Sequence, residues 1–231
     1  MTATLKLDAR LHAALSLIRI EVHADIGTDH AALPLALIES GRCQRVIAVE
    51  LNPGPLALAR RAATSSGLAA QIEVRQGDGF APILPGEIGS ASLCGLGART
   101  ILGILERAAW LPPTLVLQPN AEPEVLRGWA LESGFHLTAE TLAEGFWRYP
   151  VLKFEGRSGP DPAYLNLPHA AALRFGPHLL RRADLQLLAE LERQHLRLSR
   201  LAPNGSERVQ ADLQIVRDAL DWLQIGPQLV S

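Results

Sequence analysis

Up to about residue 155, short β-branched or apolar runs alternate with Ala- and Leu-rich stretches of helical character. That alternation is the mark of a parallel sheet flanked by helices. Leu7 to Arg19 reads as an opening helix. The run Glu21-Val-His-Ala-Asp25 predicts a first strand, and His30 to Ser40 the helix after it, closed by Gly41. Arg45-Val-Ile-Ala-Val-Glu50 predicts a second strand. Its helix runs from Pro55 to Ser66, with Gly67 where a helix C-terminus favours positive φ. Further strands follow at Gln71–Arg75, Ala91–Cys94 and Thr114–Gln118, with helices around Arg99–Ala109 and Glu122–Ser133 in the gaps. Phe135–Leu142 and Phe146–Phe154 have no helix between them. Gly145 near the bend predicts a hairpin, hence an antiparallel edge.

Past Gly156-Arg-Ser-Gly-Pro-Asp-Pro162, a turn-rich linker, only helical periodicity remains. Val209, Leu213, Val216, Leu220 and Leu223 recur at strides of four and three, a single apolar seam. The preceding helix offers Leu187, Leu191, Leu198 and Leu201 on the same rhythm, interrupted by Gln194. A tight turn at Pro203-Asn-Gly-Ser206 makes the pair an αα-hairpin with a coiled-coil-like seam. The expected organisation is an α/β domain over residues 1–157 and a helical domain over 158–231.

Composition narrows the class. At 231 residues, with 48% hydrophobic and 20% charged side chains, the chain suits a globular protein of one α/β domain plus an appendage. No stretch approaches the roughly 20 apolar residues of a membrane span, and Met1 to Arg10 lacks a secretory profile. A cytoplasmic protein without a membrane partner is the expectation. Cys43 and Cys94 are too few for a disulfide scaffold, and the histidines form no metal-ligand spacing, so no metal is expected. The net charge of −2 does not advertise a nucleic-acid binder. Lys6 and Lys153 are the only lysines, so 20 of the 22 basic residues are arginines. Any RNA surface must be a local patch of them.

The candidate chemistry lies at strand ends. Asp25-Ile-Gly27-Thr-Asp29-His30 follows the first strand and leads into a helix, where glycine lets the backbone approach a ligand beside free helix amides. It is not a dinucleotide fingerprint: one glycine is present, and Asp29 would repel a pyrophosphate. An acid there suits a cation, which points to the sulfonium of S-adenosylmethionine, with His30 lining the same site. Glu50, with Leu51 after it, ends the second strand, where a carboxylate accepts from ribose hydroxyls. Gly77-Asp78-Gly79 follows the third strand and suits an adenine amino group. Gly95-Leu96-Gly97 after the fourth is a bend able to pass under the methionine moiety. Gln118-Pro119-Asn120 closes strand five, and Asn120 offers an acceptor and a donor to a nucleobase edge. Each feature alone is an ordinary turn; together, at successive carboxyl ends of a parallel sheet, they define a ligand crevice.

These residues closely resemble the bacterial tRNA adenine N1-methyltransferases that modify position 22. The likeness rests on Ala24-Asp-Ile-Gly-Thr-Asp-His-Ala-Ala-Leu-Pro34, Gly54-Pro55, Val74-Arg-Gln-Gly-Asp-Gly79, Leu115-Val-Leu-Gln-Pro-Asn120, Arg127-Gly-Trp129 and Gly176-Pro177. It implies a Rossmann-like class I methyltransferase domain with a C-terminal helical domain, acting on N1 of an adenine in tRNA. Asp25, Gly27, Asp29, Glu50, Asp78 and Gly95 would then fall in the S-adenosylmethionine pocket. The chain departs from the family at Gly95-Leu96-Gly97-Ala98, at Ala32 and at Tyr149-Pro150, and it lacks the family's lysine-rich surface. In this reading Asp29 would stabilise the cationic product and accept from the exocyclic amine, Asn120 would orient the base, and Phe146, Trp147 and Tyr149 would offer either a stacking face or edge packing. Arg174, Arg181, Arg182, Arg193, Arg197 and Arg200, with Arg99 beside the Gly95 bend, are the RNA-contact candidates of a monomer. A methyltransferase for another nucleic acid or a small molecule, and a silent cofactor- or RNA-binding protein, are the alternative readings.

Overall fold

The computed structural model describes residues 7–143 and 149–225, and the chain divides into two compact units, residues 1–158 and 159–231. The strands of the first unit are β1 (Val22–Ile26), β2 (Arg45–Glu50), β3 (Ile72–Gln76), β4 (Ser90–Leu96), β5 (Thr114–Pro119), β6 (Phe135–Ala143) and β7 (Tyr149–Gly156). They form one sheet in the order β3-β2-β1-β4-β5-β7-β6. The first five run parallel, while β7 pairs antiparallel with β5, and β6 with β7. The later strand of the hairpin therefore lies inside and β6 forms the edge. Gly145, Phe146 and Trp147 lie outside the described residues. The strand order reverses between β1 and β4, and a crevice opens there at the carboxyl ends.

The flanking helices are α1 (Ala9–Leu17), α2 (Ala32–Glu39), α3 (Pro53–Ser65), α4 (Ala98–Arg107) and α5 (Pro123–Glu132). β2 and β5 are buried from their second residue to their last, as strands covered on both faces are. α2 buries Leu33, Pro34, Leu35, Leu37 and Ile38, so the run is apolar up to the exposed Glu39 at its end. α1 begins where the Asp8 carboxylate accepts the Leu11 amide at 2.9 Å, and its Ala14 joins a core with Leu35, Ala48 and Val116. Behind the crevice, Arg75 donates to the Pro82 carbonyl at 2.8 Å and pairs with Glu87 at 2.6 Å, folding the β3–β4 connection back on itself. The guanidinium holds the Glu87 carboxyl down to about 2.

Helix α2 starts at Ala32 rather than His30. Asp29 and Ala31 take left-handed φ values of 51° and 57°, and the Gly27 and Thr28 amides both donate to the Val49 carbonyl, so the segment turns before it can coil. Arg127-Gly-Trp129 is structural. Arg127 meets Glu140 at 2.8 Å with both side chains at 1% exposure or less, and Trp129 stacks on Phe135, so α5 is fastened to β6.

The second unit contains α6 (His169–Phe175), α7 (Pro177–Arg181), α8 (Leu185–Leu201) and α9 (Glu207–Ile225). Asp184 caps α8 by accepting from the Gln186 and Leu187 amides, each at 3.1 Å. Leu187, Leu191 and Leu198 of α8 and Leu213, Val216 and Ala219 of α9 are buried along the seam. Leu201, expected to extend it, is 52% exposed, because α8 ends there and passes into a 3-10 turn over Ala202–Asn204. Gln194, the interruption, donates to Glu190 within its own helix.

Candidate functional site

A cavity of about 750 Å³ lies at the carboxyl ends of β1 to β4. Asp25, Gly27, Asp29, His30, Glu50, Leu51, Gly77, Asp78, Gly79, Gly95 and Leu96, spread over seventy residues of chain, all line it. Its floor is built from buried acids. Asp25 is 5% exposed and accepts from the Ser92 hydroxyl at 2.6 Å. Burial pushes its carboxyl above the ordinary range and the Glu50 charge adds to this, while the Ser92 bond works against it. The Thr28 hydroxyl lies close enough to help in that direction, yet its oxygen is buried without a hydrogen bond of normal geometry. Glu50, 6% exposed, pins two loops: Oε1 accepts the Asn52 amide at 2.8 Å and Oε2 the Asp29 amide at 3.2 Å.

The walls at the β3 end need glycine. A Cβ on Gly77 would stand 2.7 Å from the Pro82 ring, and one on Gly79 2.8 Å from Ile104 Cγ2, with Gly79 at φ 56° besides. The two glycines let the backbone pack directly on Pro82 and Ile104 while lining the cavity on either side of Asp78. Asp78 itself faces Arg107 of α4 at 3.4 Å, a loose and exposed pair. At the mouth, Asp29 Oδ2 and His30 Nδ1 are 2.6 Å apart, with side chains 64% and 58% exposed.

Asn120 does not line the cavity but braces it. Its Nδ2 donates to the Gly95 carbonyl at 2.8 Å, its Oδ1 accepts from Arg10 at 3.4 Å, and its backbone amide donates to the Leu96 carbonyl at 2.8 Å. Gln118 Oε1 takes the Gly95 amide at 3.0 Å, so Gln118-Pro119-Asn120 sets the bend after β4. The Arg10 guanidinium also lies over the Tyr149 ring at 5.1 Å, which engages that ring with α1. Arg10, Ile104 and Arg107 are cavity residues that no sequence motif marked. Cys94 also lines the cavity, and burial pushes its thiol well above the ordinary range.

The expected RNA contacts separate into two groups. Arg99 belongs to the first unit and stands 81% exposed beside Glu122. In the second unit, Arg174 is turned to Asp212, and Arg181 donates to the Ala163 and Leu165 carbonyls. These internal partners hold the short helices together. Arg182 pairs with Asp184, the cap of α8. Arg193, Arg197 and Arg200 are exposed along α8, with Arg193 beside Glu190.

Comparison with known proteins matches this geometry to a family. The profile of the tRNA (adenine(22)-N(1))-methyltransferases matches residues 23–224. The tRNA (adenine(22)-N(1))-methyltransferase of Bacillus subtilis strain 168 is 34% identical over 189 residues, 80% of this chain and 79% of its own. The crystal structure of the B. subtilis M1A22 tRNA methyltransferase superposes with a TM-score of 0.79 at 29% identity, covering 96% of this chain and 99% of that one. A putative tRNA (m1A22) methyltransferase of Streptococcus pneumoniae, solved in complex with S-adenosyl-L-methionine, gives 0.79 at 26% identity over 93% of this chain and 100% of its own. With the strand-end motifs, the cavity they line and a profile match across most of its length, the chain belongs to the tRNA (adenine(22)-N(1))-methyltransferase family.

Proposed function

We propose that the cleft binds S-adenosylmethionine and that the protein methylates N1 of the adenine at position 22 of tRNA. The observation that carries this reading is the charge of the cavity: Asp25, Asp29, Glu50 and Asp78 surround it, an arrangement that repels a pyrophosphate and favours a sulfonium. The residues fit the cofactor. The Thr28 side chain would meet its amino-acid end, Glu50 and Leu51 its ribose, and the Gly77-Asp78-Gly79 segment its adenine.

Bound there, the cofactor supplies an electrophilic methyl group, which an in-plane lone pair on adenine N1 takes in an in-line displacement. No side chain has to generate a nucleophile, so positioning and charge stabilisation supply the acceleration. Asp29, at the open mouth, would accept from the exocyclic amine and offset the positive charge that arrives on the base. Asn120 would act by holding the Gly95 bend. His30 would orient the Asp29 carboxylate through their 2.6 Å contact. An adenine stacked in folded tRNA must be extruded to reach the mouth.

The helical unit would hold the rest of the tRNA. Arg193, Arg197 and Arg200 recur at strides of three and four, which puts them on one side of α8, away from its buried leucines. Arg99 would contact RNA near the mouth. The simplest form of this reading is a cytoplasmic monomer. Incubation with radiolabelled S-adenosylmethionine and unmodified total tRNA, followed by mapping of the labelled nucleoside, tests it. Label at N1 of adenine 22 is expected; label elsewhere, or none with cofactor still bound, contradicts it.

A further inference from the structure

Behind the cavity floor runs a closed line of polar side chains that no cofactor contact requires. β1 and β4 pair in parallel with His23 opposite Ser90 and Asp25 opposite Ser92. Side chains two apart on a strand share a face, so the register brings all four together. His23 Nδ1 lies 2.6 Å from Ser90 Oγ, His23 Nε2 2.8 Å from Ser92 Oγ, and Ser92 Oγ donates to Asp25 Oδ1 at 2.6 Å. His23 and Ser92 have no exposed surface, and Ser90 and Asp25 have at most 5%.

The proton positions follow from valence. The single Ser92 proton goes to the carboxylate, so Ser92 Oγ accepts from His23 Nε2–H. Nδ1 is then bare and accepts from Ser90. Burial holds the imidazole neutral, down to about pH 3, so this direction does not reverse in the working range. Leucine and alanine would fill the same space without burying an imidazole and two hydroxyls, each costly unless bonded. Among the described residues no cation contacts Asp25, while Glu50 on β2 and Cys94 on β4 both face it and Arg10 of α1, Asp29 and His30 stand at the rim. The Ser92 bond is therefore the main interaction within the chain that favours a carboxylate at that place.

We infer that His23 is a positioning residue: through Ser92 it fixes the hydrogen bond to Asp25 and sets that carboxylate in the orientation the cofactor meets. The inference rests on the proposed placement of Asp25 in the S-adenosylmethionine site. Calorimetric titration of the full-length protein with S-adenosylhomocysteine tests it, using Ser92→Ala, His23→Leu, Asp25→Ala and the double variant Asp25→Ala with Ser92→Ala. Loss of one hydrogen bond to a buried charge should weaken binding about tenfold in Ser92→Ala and by a similar factor in His23→Leu. With Asp25 already alanine, the Ser92 change should cost less than about twofold more, because its acceptor is gone. Equal losses with and without Asp25 would mean a merely structural network and overturn the inference. So would unchanged binding in Ser92→Ala while Asp25→Ala is impaired. Unchanged binding in Asp25→Ala would overturn the placement of Asp25 and the inference together. Ser92→Ala is the decisive variant should His23→Leu fail to fold.

Discussion

The floor and the mouth of the cleft use the same residue types in opposite ways. On the floor, Asp25 and Glu50 are nearly inaccessible and their oxygens are engaged by Ser92 and by the Asp29 and Asn52 amides. At the mouth, Asp29 and His30 are both more than half exposed and meet each other in a solvated pair, and on the wall at the β3 end Asp78 and Arg107 form a loose, exposed pair. A carboxylate fixed by backbone amides in a dry pocket can define where a ligand sits, because it cannot reorient when the ligand arrives. One in water can follow a substrate that approaches and leaves. Under the proposed function, the contrast gives cofactor binding to the floor and the β3-end wall, and the handling of the base to Asp29 and His30 at the mouth.

The largest expected effect breaks the floor. Glu50→Ala would leave the Asp29 and Asn52 amides without their acceptor and should weaken S-adenosylhomocysteine binding about a hundredfold by calorimetry. Glu50→Gln, which keeps one acceptor oxygen, should recover part of that loss. Next comes the glycine pair at the β3 end. Gly79→Val sets a branched side chain at φ 56° and 2.8 Å from Ile104 Cγ2, and should cost about 2 kcal/mol in chemical denaturation. Adding Ile104→Ala should relieve the contact but not the backbone strain.

Much of the floor was legible in the sequence. β2 is found at Arg45–Glu50 because a strand buried on both faces is a continuous apolar run with an acid at its end. The strand-end acids are legible for the same reason: the end of an apolar run also marks the rim. Other parts left no trace. Arg10 and Arg107 reach the cavity from α1 and α4, elements whose apolar pattern tells which face is buried but not what their flanking polar residues meet. The left-handed turn at Asp29 and Ala31 carries no glycine at those positions, so the sequence pattern starts the helix two residues early. His23 is a polar residue inside a five-residue strand, and its role depends on Ser90 and Ser92 arriving in register from sixty-seven and sixty-nine residues away. In the helical unit the seam was visible, whereas the internal partners of Arg174 and Arg181 depend on tertiary packing that a stride does not encode.

A pH-dependent effect tests the buried state of His23. An unfolded imidazole takes its proton near 6.5 and the folded one only near 3, so between those values the unfolded state binds more protons. The stability this group contributes is complete above pH 6.5 and is lost as pH falls toward 3, by up to about 1.4 kcal/mol per pH unit. His23→Leu should flatten that part of the pH–stability curve relative to the parent chain, measured by urea denaturation between pH 7 and 4. A retained slope would mean that other groups cause it. The smallest effect concerns the helical unit. Changing Arg193, Arg197 and Arg200 to Gln should raise the tRNA KM and reduce the salt dependence of binding by about two in log–log slope, with S-adenosylhomocysteine affinity unchanged. An unaltered slope would make that side of α8 an ordinary solvated face.

The division between floor and mouth is tested most directly at Asp29, which touches both: its amide is held by Glu50 and its carboxylate stands in solvent beside His30. Two quantities measured on Asp29→Ala decide it, the S-adenosylhomocysteine Kd and the single-turnover rate of methyl transfer to tRNA. If the mouth handles the base, the Kd stays within about twofold of the parent while the rate falls about a hundredfold. A Kd that weakens in proportion to the rate would contradict the division, and would make Asp29 one more cofactor ligand.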